Sequence, residues 1–394
     1  HLLEVKRIYQ NIKSTLVDKK NLTIRVKNWF DFSDLNEYLL HWSVTGDDGT
    51  IVAEGSKEVT CAPHAVVDIT LGAVKLPKTL REAYLNLSWT RVKATPLVTS
   101  DWEVAYDQFV LPVSKNSWSG KPAKAGNTTF VVDEATGALK SLCLDGEELL
   151  ASPITLSLFR PATDNDNRDQ NGAKLWRQAG LDHLTQKVVS LKEGKNKTTV
   201  KADILNAEGK KIGNAEFIYA LNRDGSMKVQ TTFEPDTSLV KSMARLGITF
   251  EMKDTYENVT YLGRGEHETY TDRNQSGKIG VYKTTPERMF HYYVVPQSTG
   301  NRTDVRWLQL TDEHGKGCWI EANSFFQFST FPFSDVILEK ARHINELKRD
   351  GKITIHLDAE QAGVGTATCG PGVLPSYLVP LTKQTFDFTI YPVK

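Results

Sequence analysis

The strand–turn–strand segment that decides the fold class reads FIYALNRDGSMKVQTTF, residues 217–233. Apolar residues fill Phe217–Leu221, and they alternate with polar ones over Met227–Phe233, a period of two that is typical of strands with one buried face. The residues between them, Asn222–Gly225, are a turn signal, because glycine supplies positive φ without steric cost. The segment therefore predicts an antiparallel hairpin.

The same pattern extends from this hairpin in both directions. On the N-terminal side, Leu22, Ile24 and Val26 alternate with polar residues, and similar strands recur up to about Pro112. These strands predict a small antiparallel sandwich. Beyond residue 127 the strand pattern resumes and runs to the C-terminus, which is too much strand for one small sandwich. We expect two large packed sheets there.

A change of composition separates the two regions. Residues 114–127 are polar, contain glycine and proline, and have no apolar period, so we interpret them as a linker. The predicted domains are a sandwich over 1–113 and a larger domain over 128–394, and the fold class is all-β. Two helices are expected, one over Ala173–Ala179 and one over about Asp335–Lys348.

Composition excludes several classes of protein. The 394 residues carry 48 Lys plus Arg against 48 Asp plus Glu, so the net charge is zero and neither nucleic acid nor an anionic membrane is an expected partner. Apolar runs are too short for a spanning helix. The chain opens on HLLEVK, without an initiator methionine or a signal peptide, so we expect it to be a piece of a longer protein.

The first chemically suggestive stretch is FRPATDNDN, residues 159–167. The side chains of Asp164, Asn165 and Asp166 could gather oxygen ligands for Ca²⁺ or accept hydrogen bonds from sugar hydroxyls. The EF-hand spacing is not present. An Asx-rich turn at a strand end explains the composition equally well, and the sequence leaves these alternatives open.

The second stretch is YLGRGEHETYTDR, residues 261–273. On a strand, Glu266 and Glu268 would share one face, and paired carboxylates suggest glycosidase acid/base chemistry. The alternative is an ion-pair network with Arg264 and Arg273. The glycines do not form a phosphate-binding loop, because the required lysine and following helix are missing.

The third stretch is a glycine-rich loop, GVGTATCGPG, residues 363–372. Loops of this kind often reach toward a ligand. Cys369 has no histidine or other base nearby in the sequence, which argues against a nucleophilic role. The nine histidines show no metal-binding spacing, so the sequence supports no metal site.

Taken in this order, the three stretches resemble the C-terminal domain of large bacterial β-galactosidases. The segments LEVKRIYQ (3–10) and LLHW (39–42), with the strands that follow, resemble the end of the catalytic barrel and the fourth domain of those enzymes. The resemblance implies an immunoglobulin-like β-sandwich followed by a large galactose-mutarotase-like supersandwich. It also implies that this chain is a C-terminal fragment, since no alternating βα units for a barrel are present.

The resemblance carries several functional expectations. Both catalytic glutamates of a retaining hydrolysis would belong to the missing barrel, as would any requirement for a divalent cation or Na⁺, and this fragment itself would need no cofactor. The parent would bind a galactoside and form a homo-oligomer. In the family, the position of Cys369 holds a tryptophan beside the sugar. The pocket-proximal residues are therefore expected to be Cys369, Gly370, Asp164, Asn165, Asp166 and Glu266.

Two rival functions use other residues. A free-standing carbohydrate-binding protein would need exposed aromatic platforms, for which Trp118 and Trp319 are candidates. A mutarotase-type epimerase would need a glutamate with a histidine, and the sequence offers Glu266 or Glu268 with His291 or His356.

Overall fold

The computed structural model describes residues 2–122, 127–365 and 372–393. The chain divides into two compact units. The first comprises His1–Lys121 with the short stretch Lys278–Val281, and the second comprises Pro122–Gly277 with Tyr282–Lys394. The division falls inside residues 114–127, which we interpret as the linker.

The first unit is a sandwich of two antiparallel sheets preceded by helix α1 (Leu2–Tyr9). One sheet has the order β1-β2-β5 and the other β4-β3-β6-β7. The strands are β1 (Ile12–Asp18), β2 (Thr23–Asn28), β3 (Tyr38–Gly46), β4 (Ile51–Glu58), β5 (Val66–Thr70), β6 (Glu82–Arg91) and β7 (Glu103–Pro112). Leu22, Ile24 and Val26 are buried as their alternation predicts, and Trp89 fills the same core.

The second unit is built on a twelve-stranded antiparallel sheet. Its main path has the order β11-β16-β21-β20-β22-β15-β14-β13-β12; β17 pairs with β18 and β19, and β19 pairs with β20. A separate small sheet has the order β10-β9-β8. The strands are β8 (Thr128–Val132), β9 (Leu139–Leu144), β10 (Glu147–Glu148), β11 (Thr155–Ser157), β12 (Thr185–Gly194), β13 (Lys197–Leu205), β14 (Lys211–Leu221), β15 (Met227–Pro235), β16 (Arg245–Lys253), β17 (Asn258–Gly265), β18 (Lys278–Thr284, of which Lys278–Val281 is counted with the first unit), β19 (Arg302–Thr311), β20 (Gly317–Phe331), β21 (Lys352–Gln361) and β22 (Gln384–Val393).

The hairpin predicted from residues 217–233 is confirmed as β14 and β15. Leu221 pairs with Met227, and Gly225 in the turn has φ of 80°. Phe217 and Tyr219 are buried with their rings stacked at 6.2 Å. The all-β fold class is therefore confirmed. Where two large packed sheets were expected, the second unit has one twelve-stranded sheet and one small three-stranded sheet.

One of the two predicted helices is correct and the other is too long. Helix α2 spans Ala173–Ala179, and α3 is a short helix over Pro286–Met289. The helix expected over Asp335–Lys348 ends at Lys340 as α4 (Asp335–Lys340), and only a 3₁₀ turn follows over Ile344–Glu346.

The early end of α4 has a local cause. The Glu346 carboxylate accepts the backbone N–H of Arg342 at 2.8 Å and contacts the His343 ring at 2.9 Å. Such side-chain bonds compete with the helical backbone pattern. Leu338 is buried among aromatic rings, whereas Ile344, on the predicted apolar face, is exposed.

Candidate functional site

The centre of the candidate site is a buried ion pair between Arg160 and Asp166. Arg160 has no exposed surface, and its Nε and Nη2 donate to the two Asp166 oxygens at 3.0 and 2.7 Å. Asp166 also accepts the backbone N–H of Thr163 at 2.9 Å. Because Asp166 is buried and its carboxylate faces Arg160 and Thr163, the calcium-ligand and sugar-ligand hypotheses are not supported at Asp166. This carboxylate instead positions Arg160 and closes the turn.

Arg160 also holds the third sequence stretch. Its Nη1 donates to the carbonyl of Ala362 at 2.7 Å, and its Nη2 donates to the carbonyl of Gly363 at 3.1 Å. A planar guanidinium can serve these carbonyls and a carboxylate together because its five donors lie in a fixed fork. The bond from 160 to 363 thus joins two stretches that are about two hundred residues apart in sequence.

Asn165 and Asp272 hold the next two residues from opposite sides. Asn165 Nδ2 donates to the carbonyls of Val364 and Gly365, the latter at 3.0 Å. The Asp272 carboxylate accepts the N–H groups of Val364 at 3.2 Å and Gly365 at 2.7 Å. A Cβ at Gly363 or Gly365 would lie 2.4 or 2.7 Å from Asp272 Oδ2, so neither position leaves room for a side chain beside this carboxylate.

The far side of the loop is held by another carboxylate. Asp169 Oδ2 accepts the N–H of Val373 at 2.7 Å, and a Cβ at Gly372 would lie 2.4 Å from Asp169 Oδ1. We call Gly363–Gly365 and Gly372–Val373 the anchored stems. They flank residues 366–371, so the predicted site residues Cys369 and Gly370 lie outside the described residues.

The two glutamates of the second stretch do not form a pair. Strand β17 ends at Gly265, so Glu266 and Glu268 lie beyond it and the shared strand face considered from the sequence is wrong. The side chain of Glu266 is exposed. Glu268 contacts Arg273 at 2.7 Å and accepts the N–H of Gly300 at 2.9 Å. The ion-pair alternative therefore fits Glu268, although Arg264 pairs with Asp304 instead.

The environment of Glu268 keeps it ionised. Burial raises its pKa, but the Arg273 charge and the Gly300 N–H outweigh burial and hold the pKa below its ordinary value of 4.5. A general acid needs a raised pKa, so Glu268 is unsuited to that role.

The lowered pKa of Glu268 gives a pH-dependent prediction. A carboxylate whose pKa is depressed by folding stabilises the fold above its unfolded pKa, and this contribution is lost as pH falls through the folded value. Glu268→Gln is expected to lower the free energy of unfolding by about 1.5–3 kcal/mol near neutral pH, because a charge-assisted hydrogen bond and an ion pair are lost. The difference from wild type should shrink well below pH 4.5. Urea unfolding of wild type and variant, near neutral pH and again well below pH 4.5, measures this difference in the free energy of unfolding.

The matched control for this prediction is Glu257→Gln. Glu257 also pairs with an arginine, Arg349, but both side chains are nearly half exposed. Exposed pairs contribute little, so the control should change stability by less than about 1 kcal/mol. An effect of Glu268→Gln that is equally small at both pH values would contradict the assigned ion pair.

Asp164 has a partner that the sequence did not suggest. Its backbone N–H donates to Gln297 Oε1 at 3.0 Å, and Gln297 Nε2 donates back to the Asp164 carboxylate at 3.2 Å. The Asp164 side chain stays exposed. Among the predicted residues that the structure describes, Asp164 and Glu266 are therefore the two carboxylates open to a ligand.

Three residues of the two rival functions, Trp118, Trp319 and His356, are engaged elsewhere. His291 is exposed, and its ring lies 4.4 Å from that of Tyr293. Trp118 is buried under the guanidinium of Arg81, and Trp319 is buried and stacked on Trp307 at 4.1 Å, so neither indole is an exposed platform. His356 is fully buried with Nε2 3.1 Å from Asp335. That contact makes His356 a partner of Asp335 instead of a catalytic partner of either glutamate.

No metal-binding group emerges in the part of the chain that the structure describes. A search of residues 2–122, 127–365 and 372–393 finds no cluster of three His, Cys, Asp or Glu side chains that could hold an ion. Within the same ranges, no helix is both long and apolar enough to cross a membrane.

Both units of the chain match families that are named for parts of β-galactosidases. Residues 124–391 match the family described as beta galactosidase small chain, and residues 24–112 match beta-galactosidase domain 4. The first match covers well over half of the chain. The chain belongs to the beta galactosidase small chain family.

Individual relatives agree with this assignment. The chain is 29% identical over 386 residues to a beta-galactosidase of Priestia megaterium, covering 92% of this chain and 37% of the relative. It is 24% identical over 399 residues to a beta-galactosidase of Actinobacillus pleuropneumoniae, covering 96% and 38%. The chain thus spans between a third and two fifths of the length of these relatives, so it corresponds to their C-terminal part.

Among solved structures, similarity is weaker. The structure titled "Crystal Structure Analysis of HI1317" is 9% identical, with a TM-score of 0.35, and the match covers 81% of this chain and 98% of that chain. A score at this level adds nothing to the assignment.

Proposed function

We propose that this chain is the C-terminal part of a retaining β-galactosidase and that it completes the substrate pocket of a catalytic part encoded upstream. The observation that carries the proposal is the pair of anchored stems. The fully buried Arg160 and the half-buried Asn165 and Asp272 hold Gly363–Gly365 in place by hydrogen bonds. Binding loops need such rigid support, because an ill-positioned loop loses affinity to conformational entropy.

Catalysis is assigned to the upstream part for a chemical reason. Retaining glycosidases use two carboxyl groups on either side of the sugar, one of which must be protonated when the substrate binds. Glu268 is held ionised by Arg273, and Asp166 has both oxygens engaged by Arg160 and Thr163. The galactoside, and any divalent cation or Na⁺ that the parent uses, are proposed to bind at the upstream part.

The proposal gives exposed groups a supporting role at the pocket. Asp164, oriented by Gln297, can accept a hydrogen bond from a sugar hydroxyl. Glu266 is exposed and its own carbonyl is fixed by Arg302 Nη2 at 2.8 Å. Asn165 and Asp166 act as positioning residues, and Cys369 with Gly370 remain the proposed contact residues of the loop.

Activity of the separated chain tests the proposal. We expect the purified chain to be folded and to hydrolyse no o-nitrophenyl β-D-galactoside, whereas the full-length parent hydrolyses it. Proton NMR of the first product formed by the parent should show the β-anomer, as retention requires. Turnover by the chain alone, above that of a mock preparation, would contradict the assignment of catalysis to the upstream part.

A further inference from the structure

A cavity in the second unit has a lining that includes none of the anchored stems. It has a volume of about 450 Å³, within the ordinary range for small-molecule sites. Its walls come from β11 and β12, which are the two ends of the main path of the twelve-stranded sheet, and from α4. The cavity therefore occupies the place where the two edges of one sheet approach each other.

The walls of this cavity are mainly apolar. Leu156, Leu158 and Ile204 contribute buried aliphatic surface, and the ring of Phe159 lies beside them, edge-on to Trp176 at 6.3 Å. Val336 of α4 lies at the cavity with 59% of its surface exposed. An apolar body of one ring or a short chain would gain contact area from such walls.

One carboxylate in this apolar lining has spare hydrogen-bonding capacity. Asp335 Oδ1 contacts the buried His356 Nε2 at 3.1 Å, and about a third of the Asp335 side chain remains exposed. Although burial raises the pKa of Asp335, the neighbouring His356 lowers it further, and the net direction is downward. The carboxylate is therefore ionised at neutral pH.

The other two carboxylates of the lining each have a basic partner. Besides Asp335, the lining contains Asp182 and Glu339 as carboxylates and Lys340 as the one ammonium within the described lining. Glu339 is paired with Arg177 at 2.7 Å, and Asp182 contacts His183 at 3.1 Å. Asp335 is thus the carboxylate placed among the aliphatic walls, and a ligand cation would meet it directly.

We propose that this cavity binds a small organic amine, whose apolar body packs on Phe159 and Leu156 while its ammonium group pairs with Asp335. An ammonium suits the site better than a neutral sugar, because the apolar side chains cover an organic body while Asp335 offers a carboxylate to its charge. The proposal does not depend on the function assigned to the anchored stems.

Binding of 2-phenylethylamine to the full chain, followed by NMR titration, tests the proposal. We expect the amine to bind at least ten times more tightly than 2-phenylethanol, which has nearly the same shape but no charge. Asp335→Asn should remove this preference. Methyl β-D-galactopyranoside at the same concentrations should not compete.

A second pair of variants separates cavity binding from loss of folding. Val336→Trp places a large ring at the exposed wall and should weaken amine binding at least tenfold, while Val131→Trp, at a similarly exposed position outside the lining, should leave it unchanged. Equal binding of amine and alcohol, unchanged binding in Val336→Trp, or competition by the galactoside would each overturn the proposal.

Discussion

Arg160→Leu is expected to destabilise the second unit by about 3–5 kcal/mol, the cost typical of leaving a buried charge without its partner. The substitution strands the Asp166 carboxylate, which is only 3% exposed, and removes donors from the carbonyls of Ala362 and Gly363. Leucine fills part of the space but satisfies none of these acceptors. This is the largest single effect that the structure predicts.

The loss of stability caused by Arg160→Leu is best measured with a probe that reports on the second unit only. Hydrogen exchange of peptides from β14 and β15, followed against urea concentration, reports the opening of the large sheet without interference from the first unit. Arg349→Ala is the matched control, because its partner Glu257 is nearly half exposed and the loss should stay below about 1 kcal/mol. Similar urea midpoints for the two variants would show that Arg160 does not hold this region together.

Asp272→Asn in the full-length parent is expected to lower kcat/KM for a β-galactoside at least tenfold and to lower the free energy of unfolding by no more than about 1.5–3 kcal/mol. The carboxylate accepts two adjacent backbone N–H groups, from Val364 and Gly365. Asparagine keeps one acceptor oxygen, but its NH₂ group is a donor and cannot accept the second backbone N–H. Loss of a charge-assisted bond of about 1.5–3 kcal/mol would release the first anchored stem.

The control for Asp272 is another aspartate with the same backbone role. Asp312 Oδ1 accepts the N–H groups of His314 and Lys316 at 2.8 and 2.9 Å in an exposed turn of the second unit. Asp312→Asn should change kcat/KM of the parent less than twofold. If both variants reduced activity equally, the effect would come from general destabilisation and the anchored stem would have no special role at the pocket.

The fold was largely accessible from the sequence, because strand alternation is a local signal. Ile24 and Val26 in the first unit, and Met227 and Val229 in the second, are buried as their period of two predicts. The twelve-strand order was not accessible, since pairings such as β15 with β22 join strands whose sequence separation carries no local pattern. Helix α4 was overestimated because tertiary packing of Leu338 and the side-chain bonds of Glu346 override an apolar period.

The sequence predicted which three stretches form the candidate site, but it did not predict the contacts between their residues. Asp164, Asn165 and Asp166 were recognised as a polar cluster, yet only the structure separates the exposed Asp164 from the buried Asp166. The sequence analysis did not predict the roles of Asp169 and Gln297. Each is an isolated residue outside any motif, and its hydrogen-bond partner lies far along the chain. Asp272 lay within a quoted motif, but its role depends on glycines that approach it from the third stretch.

Reconstitution of the enzyme from two pieces is the direct test that catalysis lies in the upstream part and that this chain completes its pocket. The upstream part of the parent and this chain would be produced together and separately, and hydrolysis of o-nitrophenyl β-D-galactoside would be measured for each preparation beside the full-length enzyme. We expect this chain alone to be inactive, co-production to restore turnover, and a chain carrying Asp272→Asn to restore at least tenfold less. Full activity of the upstream part without this chain, or turnover by this chain alone, would contradict it.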